Sequence, residues 1–377
     1  MKVDILIKNG LVIDPYQNKK EVRTIAVKED KIVDAVLATE ATQVIDASGC
    51  IVSPGLIDFH GHFSDYTSDL GANAEMICFP TGVTTIVDGG TTGVANYLGF
   101  RARTMASKLR SFALLHINPS GIATISYHET QDPKYCKDDK MKSFMQLYRD
   151  QLIGLKVRLS KELVGELGLK PLEHLRTLAD EIGCPVGVHT TNPPCSVGEL
   201  LEYFRPGDIF FHVFHGRGNT IIGDDGKVLP AVREAQKSGV IFDAANGKNH
   251  FAFKTAEAAL ADGFLPDIIS TDMSSLNAFA RDRVFSLPFA MSKYMMLGMD
   301  IETILRCVVL NPARALGMER ELGSLLPGTT ADIAIHRIID HRTRFEDTLG
   351  EERFGEQVLR TEMTVCKGTI VFRTIEI

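Results

Sequence analysis

Cysteine pairs, a basic charge excess and long apolar runs are all missing from this 377-residue chain. Its cysteines, at positions 50, 78, 136, 184, 195, 307 and 366, form no CxxC pair and are odd in number, so no disulfide framework or cysteine-built zinc module is indicated. They read as reduced thiols of a cytoplasmic protein. Lys and Arg total 41 against 48 Asp and Glu, giving a formal net charge of -7. Binding a phosphate backbone calls for the opposite balance, and nucleic acid is not expected as a partner. No stretch approaches the roughly 18 apolar residues of a membrane span. The opening MKVDILIKNGLVIDP alternates as a strand does and lacks the basic and then apolar blocks of a signal peptide. No membrane association is expected. Repeats, low-complexity segments and Gly/Ser-rich linkers are absent too.

With 44% hydrophobic and 24% charged residues, the composition is that of a globular enzyme-sized protein with room for one large domain and one smaller one. Residues 1–52 hold three short alternating runs, DILIKNG, TIAVKEDKIVDAV and TQVIDASGCIV, which predict a small antiparallel sheet. GSLLPGTTADIAIHR and MTVCKGTIVFR, within 321–377, repeat that style, the latter as a hairpin turning at Lys367-Gly368. The two ends are expected to pair into one small β-sandwich domain. Between them, over 53–320, eight β-like runs alternate with helical stretches: SPGLIDFHGH, GVTTIVDGG, SFALLHI, IGLKVRL, PVGVHT, DIFFHVF, GVIFDAA and DIISTD. Eight such units predict an α/β fold closed as a (β/α)8 barrel.

Five of these runs end in residues able to ligate a metal. The first carries His60 and His62, whose two-residue spacing puts both imidazoles on one strand face. Alone, a His-X-His is only suggestive, since paired histidines more often occur as satisfied core or surface residues. The fourth run places Lys156 among apolar neighbours, where an unpaired ammonium is costly. An isolated strand lysine would ordinarily snorkel to the surface. A neutral lysine, however, can take up carbon dioxide as a carbamate whose two oxygens bridge two divalent ions. His189 and His212 come late in the fifth and sixth runs, and Asp272 ends the eighth. Six candidate ligands at the same end of successive barrel strands predict one reaction centre, and their registration outweighs the bland reading of each residue alone. His215, three residues beyond His212, is expected to contact substrate rather than metal.

Imidazole and carboxylate donors suit zinc, and the same set admits manganese, iron or cobalt. Two ions sharing a bridging ligand sit about 3.5–4 Å apart and hold a hydroxide between them. Asp272 can then take the proton of the attacking oxygen and return it to the leaving group. The chemistry predicted is hydrolysis of a small molecule at a polarised carbonyl.

The chain resembles the amidohydrolase superfamily of urease and dihydroorotase. The resemblance rests on Ser53-Pro54-Gly55-Leu56-Ile57-Asp58-Phe59-His60-Gly61-His62, Gly82-Val83-Thr84-Thr85, Asn311-Pro312-Ala313 and the segment from Gly323 to Asp332. Gly154-Leu155-Lys156-Val157-Arg158-Leu159-Ser160, Val188-His189 and Ser270-Thr271-Asp272 resemble its amidohydrolase/deacetylase branch. That likeness implies a carbamylated Lys156 bridging two ions, with His60, His62 and Asp272 on one and His189 and His212 on the other. It implies hydrolysis of an acyl amide or acyl ester.

Two departures from the branch bear on substrate. Where relatives tend to carry Phe-Asp-x-Gly-His-Gly, this chain has Phe242-Asp243-Ala244-Ala245-Asn246-Gly247, so Asn246 stands at a histidine position, with His250 four residues on. Asp272 is followed by Met273-Ser274-Ser275, without the polar or aromatic residues expected there. Arg158 is a candidate grip for a substrate carboxylate, its alternative being a brace paired with Asp58 or Asp243. His116 and His128 are placed to reach the barrel mouth, and His174, His336 and His341 read as structural. A dihydroorotase-type cyclic amide hydrolase is the alternative enzyme, although Phe63 follows His62 where that enzyme carries a His-X-Arg pattern. A nucleobase deaminase fits less well, because no acid follows His189 before Glu199. An inactive scaffold should have lost ligands. A homo-oligomer is the expectation for a soluble enzyme of this size.

Overall fold

The structure is a computed structural model and describes residues 1–279, 283–375 and 377. Seven parallel strands form one curled sheet in chain order: Leu56–Gly61, Val83–Asp88, Arg110–His116, Leu152–Arg158, Val186–His189, Ile209–Phe211 and Ile241–Asp243. Helices follow each strand, among them Lys170–Ile182, Pro230–Ser238 and Phe253–Ala261. The first two end on a left-handed glycine, Gly183 and Gly239, as their sequences predict.

The eighth run, DIISTD, is not a continuous strand, yet its residues stitch the sheet shut. Ile268 bridges Asp243 of the seventh strand, and Met273 bridges Gly61 of the first. Asn246 and Gly247 donate backbone bonds to the Ser270 and Thr271 carbonyls on one side, while Asp272 donates to His60 O at 2.7 Å on the other. Two buried acids reinforce these seams. Asp58 accepts the Thr271 N–H and hydroxyl at 3.0 and 2.5 Å, and Asp243 accepts the Ser270 hydroxyl at 2.7 Å. Both are fully enclosed, and burial pushes each carboxyl up to about 7. Backbone bonds thus close the barrel on both sides, and the two buried acids add side-chain bonds at each seam.

The seam at Asp58 can be tested directly. Replacing it with alanine leaves the Thr271 donors unpaired in the interior, at about 1–3 kcal/mol for each stranded group. Asp58→Ala should lower the unfolding free energy by that amount, read as a lower urea midpoint at unchanged m-value, and an unchanged midpoint would mean that closure does not depend on this seam.

The two chain ends meet, as expected. Ile51–Pro54 lies between Leu11–Asp14 and Ile333–Glu346 in a six-stranded sheet completed by Lys19–Val22, Glu352–Cys366 and Thr369–Arg373. A second sheet of Lys2–Lys8, Ile25–Lys28, Lys31–Val33 and Glu40–Asp46 packs against it through Ile5, Val27, Ile45, Val52, Ile333 and Val365. The amino-terminal runs are not purely antiparallel: Lys2–Lys8 pairs in parallel with Glu40–Asp46, and Leu11–Asp14 with Ile51–Pro54. Alternation fixes which face is buried but not strand direction, so that expectation is corrected. The Lys367-Gly368 turn is present, both residues having positive φ. Among the described residues no helix is long and apolar enough to cross a membrane.

Candidate metal centre

At the carboxyl ends of the barrel strands, two groups of three metal-capable side chains converge. His60, His62 and Asp272 form one and His189, His212 and His250 the other, with donor atoms inside each group all within 4.8 Å. Asp272 faces both groups. Its Oδ1 is 3.5 Å from His60 Nε2 and 3.1 Å from His62 Nε2, and its Oδ2 is 3.7 Å from His250 Nε2. The ring centroids of His60 and His212 are 5.3 Å apart, which joins the groups in one cavity.

Hydrogen bonds behind the rings fix which nitrogen each presents. His212 Nδ1 lies 2.8 Å from the Ala245 carbonyl, which can only accept, so Nδ1 carries the proton and Nε2 keeps its lone pair. Ser160 spends its hydroxyl proton on the Thr191 carbonyl at 2.7 Å and accepts from His189 Nε2 at 3.1 Å, leaving Nδ1 of that ring free. Thr91 likewise donates to Asp88 at 2.8 Å and accepts from His62 Nδ1 at 2.8 Å. These three rings are thus held in tautomers that leave one nitrogen lone pair free on the cavity side. Burial holds the His60, His189 and His212 imidazoles well below their usual range, so they are neutral donors at physiological pH.

Lys156 completes the cavity floor. Its side chain is almost wholly enclosed, its Nζ lies 3.8 Å from the centre of the Phe211 ring, and it has no hydrogen-bond partner. Burial, partly offset by Asp272, brings its ammonium down to about 7. Space for it is made by Gly90 (φ +93), where a Cβ would stand 2.5 Å from Lys156 Cγ. Gly247 (φ +54) makes room in the same way for Asp272 Oδ2 and His250. His212 and Asp272 themselves sit at φ 67 and 52. Left-handed backbone at non-glycine residues costs on the order of 1–3 kcal/mol each and persists where surrounding structure demands it.

Two expected substrate contacts lie away from the cavity, and a third residue lines it with a different partner. Asn246 does not face the cavity: its amide donates to Ser270 O at 2.8 Å and accepts from Tyr294 at 3.3 Å, which makes it a brace on the eighth run. His215 is also turned away. Its Nδ1 accepts from Arg217 N, and its carbonyl takes the Thr255 hydroxyl. Arg158 does line the cavity, and it is paired with neither Asp58 nor Asp243 but with Glu129, at 2.8 Å. His116 lies behind that pair, its Nε2 3.9 Å from Glu129, and His128 is exposed.

His250 faces the cavity, its ring centroid 4.1 Å from that of His212 with the planes tilted by 32°, and is oriented by Thr191. Asp88, Thr91, Ser160 and Glu129 went unnoticed in the sequence. Of these only Asp88 left a signal, as a carboxylate at the end of a barrel strand.

The amidohydrolase family model matches residues 51–371. The chain belongs to the amidohydrolase family. This amidohydrolase is similar to a deacetylase of Enterococcus faecalis, 31% identical over 382 residues that cover 98% of this chain and 99% of that protein. It is equally similar to a deacetylase of Agrobacterium fabrum, 31% identical over 323 residues covering 84% of this chain and 78% of the other. Among solved structures, one described as an adenine deaminase superposes with a TM-score of 0.90 at 30% identity and covers 99% of this chain and all of the other.

The cavity holds about 280 Å³, with Leu70, Ile122, Ile125 and Leu276 around its rim. It suits a small molecule with an apolar portion. A larger cleft, about 650 Å³, lies at the opposite end of the barrel near Arg176 and Asp208. There the 2.7 Å ion pair of those residues clamps strand starts, a stabilising role typical of that face.

Proposed function

We propose that this amidohydrolase is a binuclear metal-dependent deacetylase that hydrolyses an acyl amide or acyl ester of a small molecule. The observation that carries this reading is the pair of three-donor groups sharing Asp272, beside a buried lysine amine with no partner. His60, His62 and Asp272 would hold one ion and His189, His212 and His250 the other, with Lys156, modified by carbon dioxide to a carbamate, supplying oxygens to both. When bound, two divalent ions, best matched by zinc and compatibly by manganese, iron or cobalt, activate water and polarise the scissile carbonyl.

The protein's own residues supply the rest. Asp272 accepts the proton of the attacking water and returns it to the departing nitrogen or oxygen. Arg158, held on one side by Glu129, offers its remaining N–H groups to a carboxylate on the substrate, and Lys248 at the cavity edge adds positive charge. Arg158→Met should raise KM for carboxylate-bearing substrates about 10- to 100-fold, the worth of one charge-assisted hydrogen bond, with kcat little changed. Equal loss on an uncharged acyl substrate would assign Arg158 to structure instead.

The reading is tested by screening metal-loaded protein against acylated amino acids, acyl hydroxy acids, hydantoins, dihydroorotate and adenine. Turnover of the acylated compounds is expected, and turnover of none would overturn it. A cyclic amide hydrolase of the dihydroorotase kind is the second reading and adenine deamination a weaker third, each with a solved structure of that description similar to this chain. A cyclic substrate of the dihydroorotate kind fits less well than an acylated compound, because Phe63 is buried and sends only its N–H to Asp88. An inactive scaffold is disfavoured by the full donor set. We read the protein as a cytoplasmic homo-oligomer, which light scattering at working concentration would test.

A further inference from the structure

Outside the barrel mouth, one other cluster of metal-capable side chains stands on the flank of the barrel. Cys136 follows the short turn Pro133–Tyr135, Asp138 opens the helix Asp138–Leu147, and His174 lies in the second turn of the helix Lys170–Ile182. Their donor atoms all lie within 4.8 Å of one another. His174 Nε2 and Asp138 Oδ1 are already 3.0 Å apart. All three residues are partly exposed, and they line a cleft of about 620 Å³.

We propose that Cys136, Asp138 and His174 form a second, independent binding site for a borderline-soft divalent ion of the zinc type. Thiolate, imidazole and carboxylate on three protein ligands, with a fourth position open to water, is a donor set that such an ion accepts. Bonds of about 2.0–2.3 Å at tetrahedral angles put donors roughly 3.5 Å apart, so the present arrangement needs only side-chain rotation to close on an ion. Binding releases the Cys136 thiol proton to solvent and exchanges the His174–Asp138 hydrogen bond for two metal bonds. The cleft gives the ion a path in. Lys137 and Lys140 also border it, but both are exposed, so solvent and salt screen them, and Asp139 offsets one of the two charges.

The bland account of the same residues is an ion pair between helices beside a thiol packed on Met141, whose sulfur is 3.4 Å from that of Cys136. The two accounts differ in what the thiol does when metal arrives. An ion here would tie together the helices on either side of the fourth barrel strand, Leu152–Arg158, which carries Lys156. Its role would be structural, since the site lies outside the barrel-mouth cavity.

Cobalt(II) provides the test, because a thiolate ligand gives a sulfur-to-cobalt charge-transfer band in the near ultraviolet. No cysteine lines the barrel-mouth cavity among the described residues, so such a band does not come from that site, and the Cys136 variant separates it from the other thiols. In the full-length protein, titration with cobalt should develop this band. Cys136→Ser should abolish it and remove one bound ion while leaving the metal at the barrel mouth in place. His174→Gln should keep the thiol yet weaken the cobalt affinity measured through the band at least tenfold. Absence of the band in the unaltered protein would overturn the proposal, and so would a band of equal strength in Cys136→Ser. Neither result bears on the barrel-mouth reading, whose own test is substrate turnover.

Discussion

Asp272→Asn should lose about 10²–10⁴ in kcat, the range in which a positioned general acid–base contributes, with the fold intact. Asparagine preserves the shape of the side chain and can still place an oxygen near His60 and His62. It cannot accept a proton and deliver it again. Among the described residues, Asp272 is the carboxylate that faces both histidine groups. The nearby acids Asp58 and Asp243 are engaged in the Thr271 and Ser270 seams. The measurement is kcat at saturating metal, alongside metal content. If the variant keeps its metal and falls less than tenfold, Asp272 is a ligand only, and the proton is carried elsewhere.

The second large effect is expected at Lys156, and it runs in two directions. Lys156→Met keeps the volume of the side chain and removes an amine that has no hydrogen-bond partner in the interior. Burying a polar group without a partner costs roughly 1–3 kcal/mol by mutational measures, so the metal-free variant should unfold at a higher denaturant concentration than the metal-free parent. The same change removes the carbamate oxygens, and metal at the barrel mouth should fall from about two ions to one or fewer, with hydrolysis lost. Full metal occupancy in Lys156→Met would make the lysine structural and point to a mononuclear centre. A variant less stable than the metal-free parent would show that the amine has a partner in solution.

How far the sequence alone leads can be judged residue by residue. The barrel was legible because each βα unit carries its own local signal, and the ligands were legible because they fall at strand ends where alternation fixes the facing side. The eighth run shows both the reach and the limit of that reasoning. Its position and its terminal Asp272 follow from pattern, but its closure by Asp58 and Asp243 depends on contacts more than 200 positions apart for the Asp58–Thr271 pair, which no local pattern encodes. His250 illustrates a second limit. It belongs to a loop, where neither helical nor strand periodicity says which way a ring points, and its tilted contact with the His212 ring and its bond to Thr191 place it in the site. Asn246 fails for the converse reason: alignment to a family pattern suggested a substrate contact, while its amide is spent on the backbone of the neighbouring run and on Tyr294.

The central position of Ile51–Pro54 in the six-stranded sheet has a consequence for the order of events at the ribosome. One flank of that strand pairs with Leu11–Asp14, made earlier, but the other waits for Ile333–Glu346, which emerges only after the whole barrel has been synthesised. At the 5–20 residues per second typical of translation, the nascent chain spends roughly 14–55 seconds with an open, apolar strand edge, the kind of surface that pairs with other chains. A stalled or truncated product would keep that edge permanently. Early quality control of this protein would therefore act on the small sheet, while its chemistry resides in the barrel.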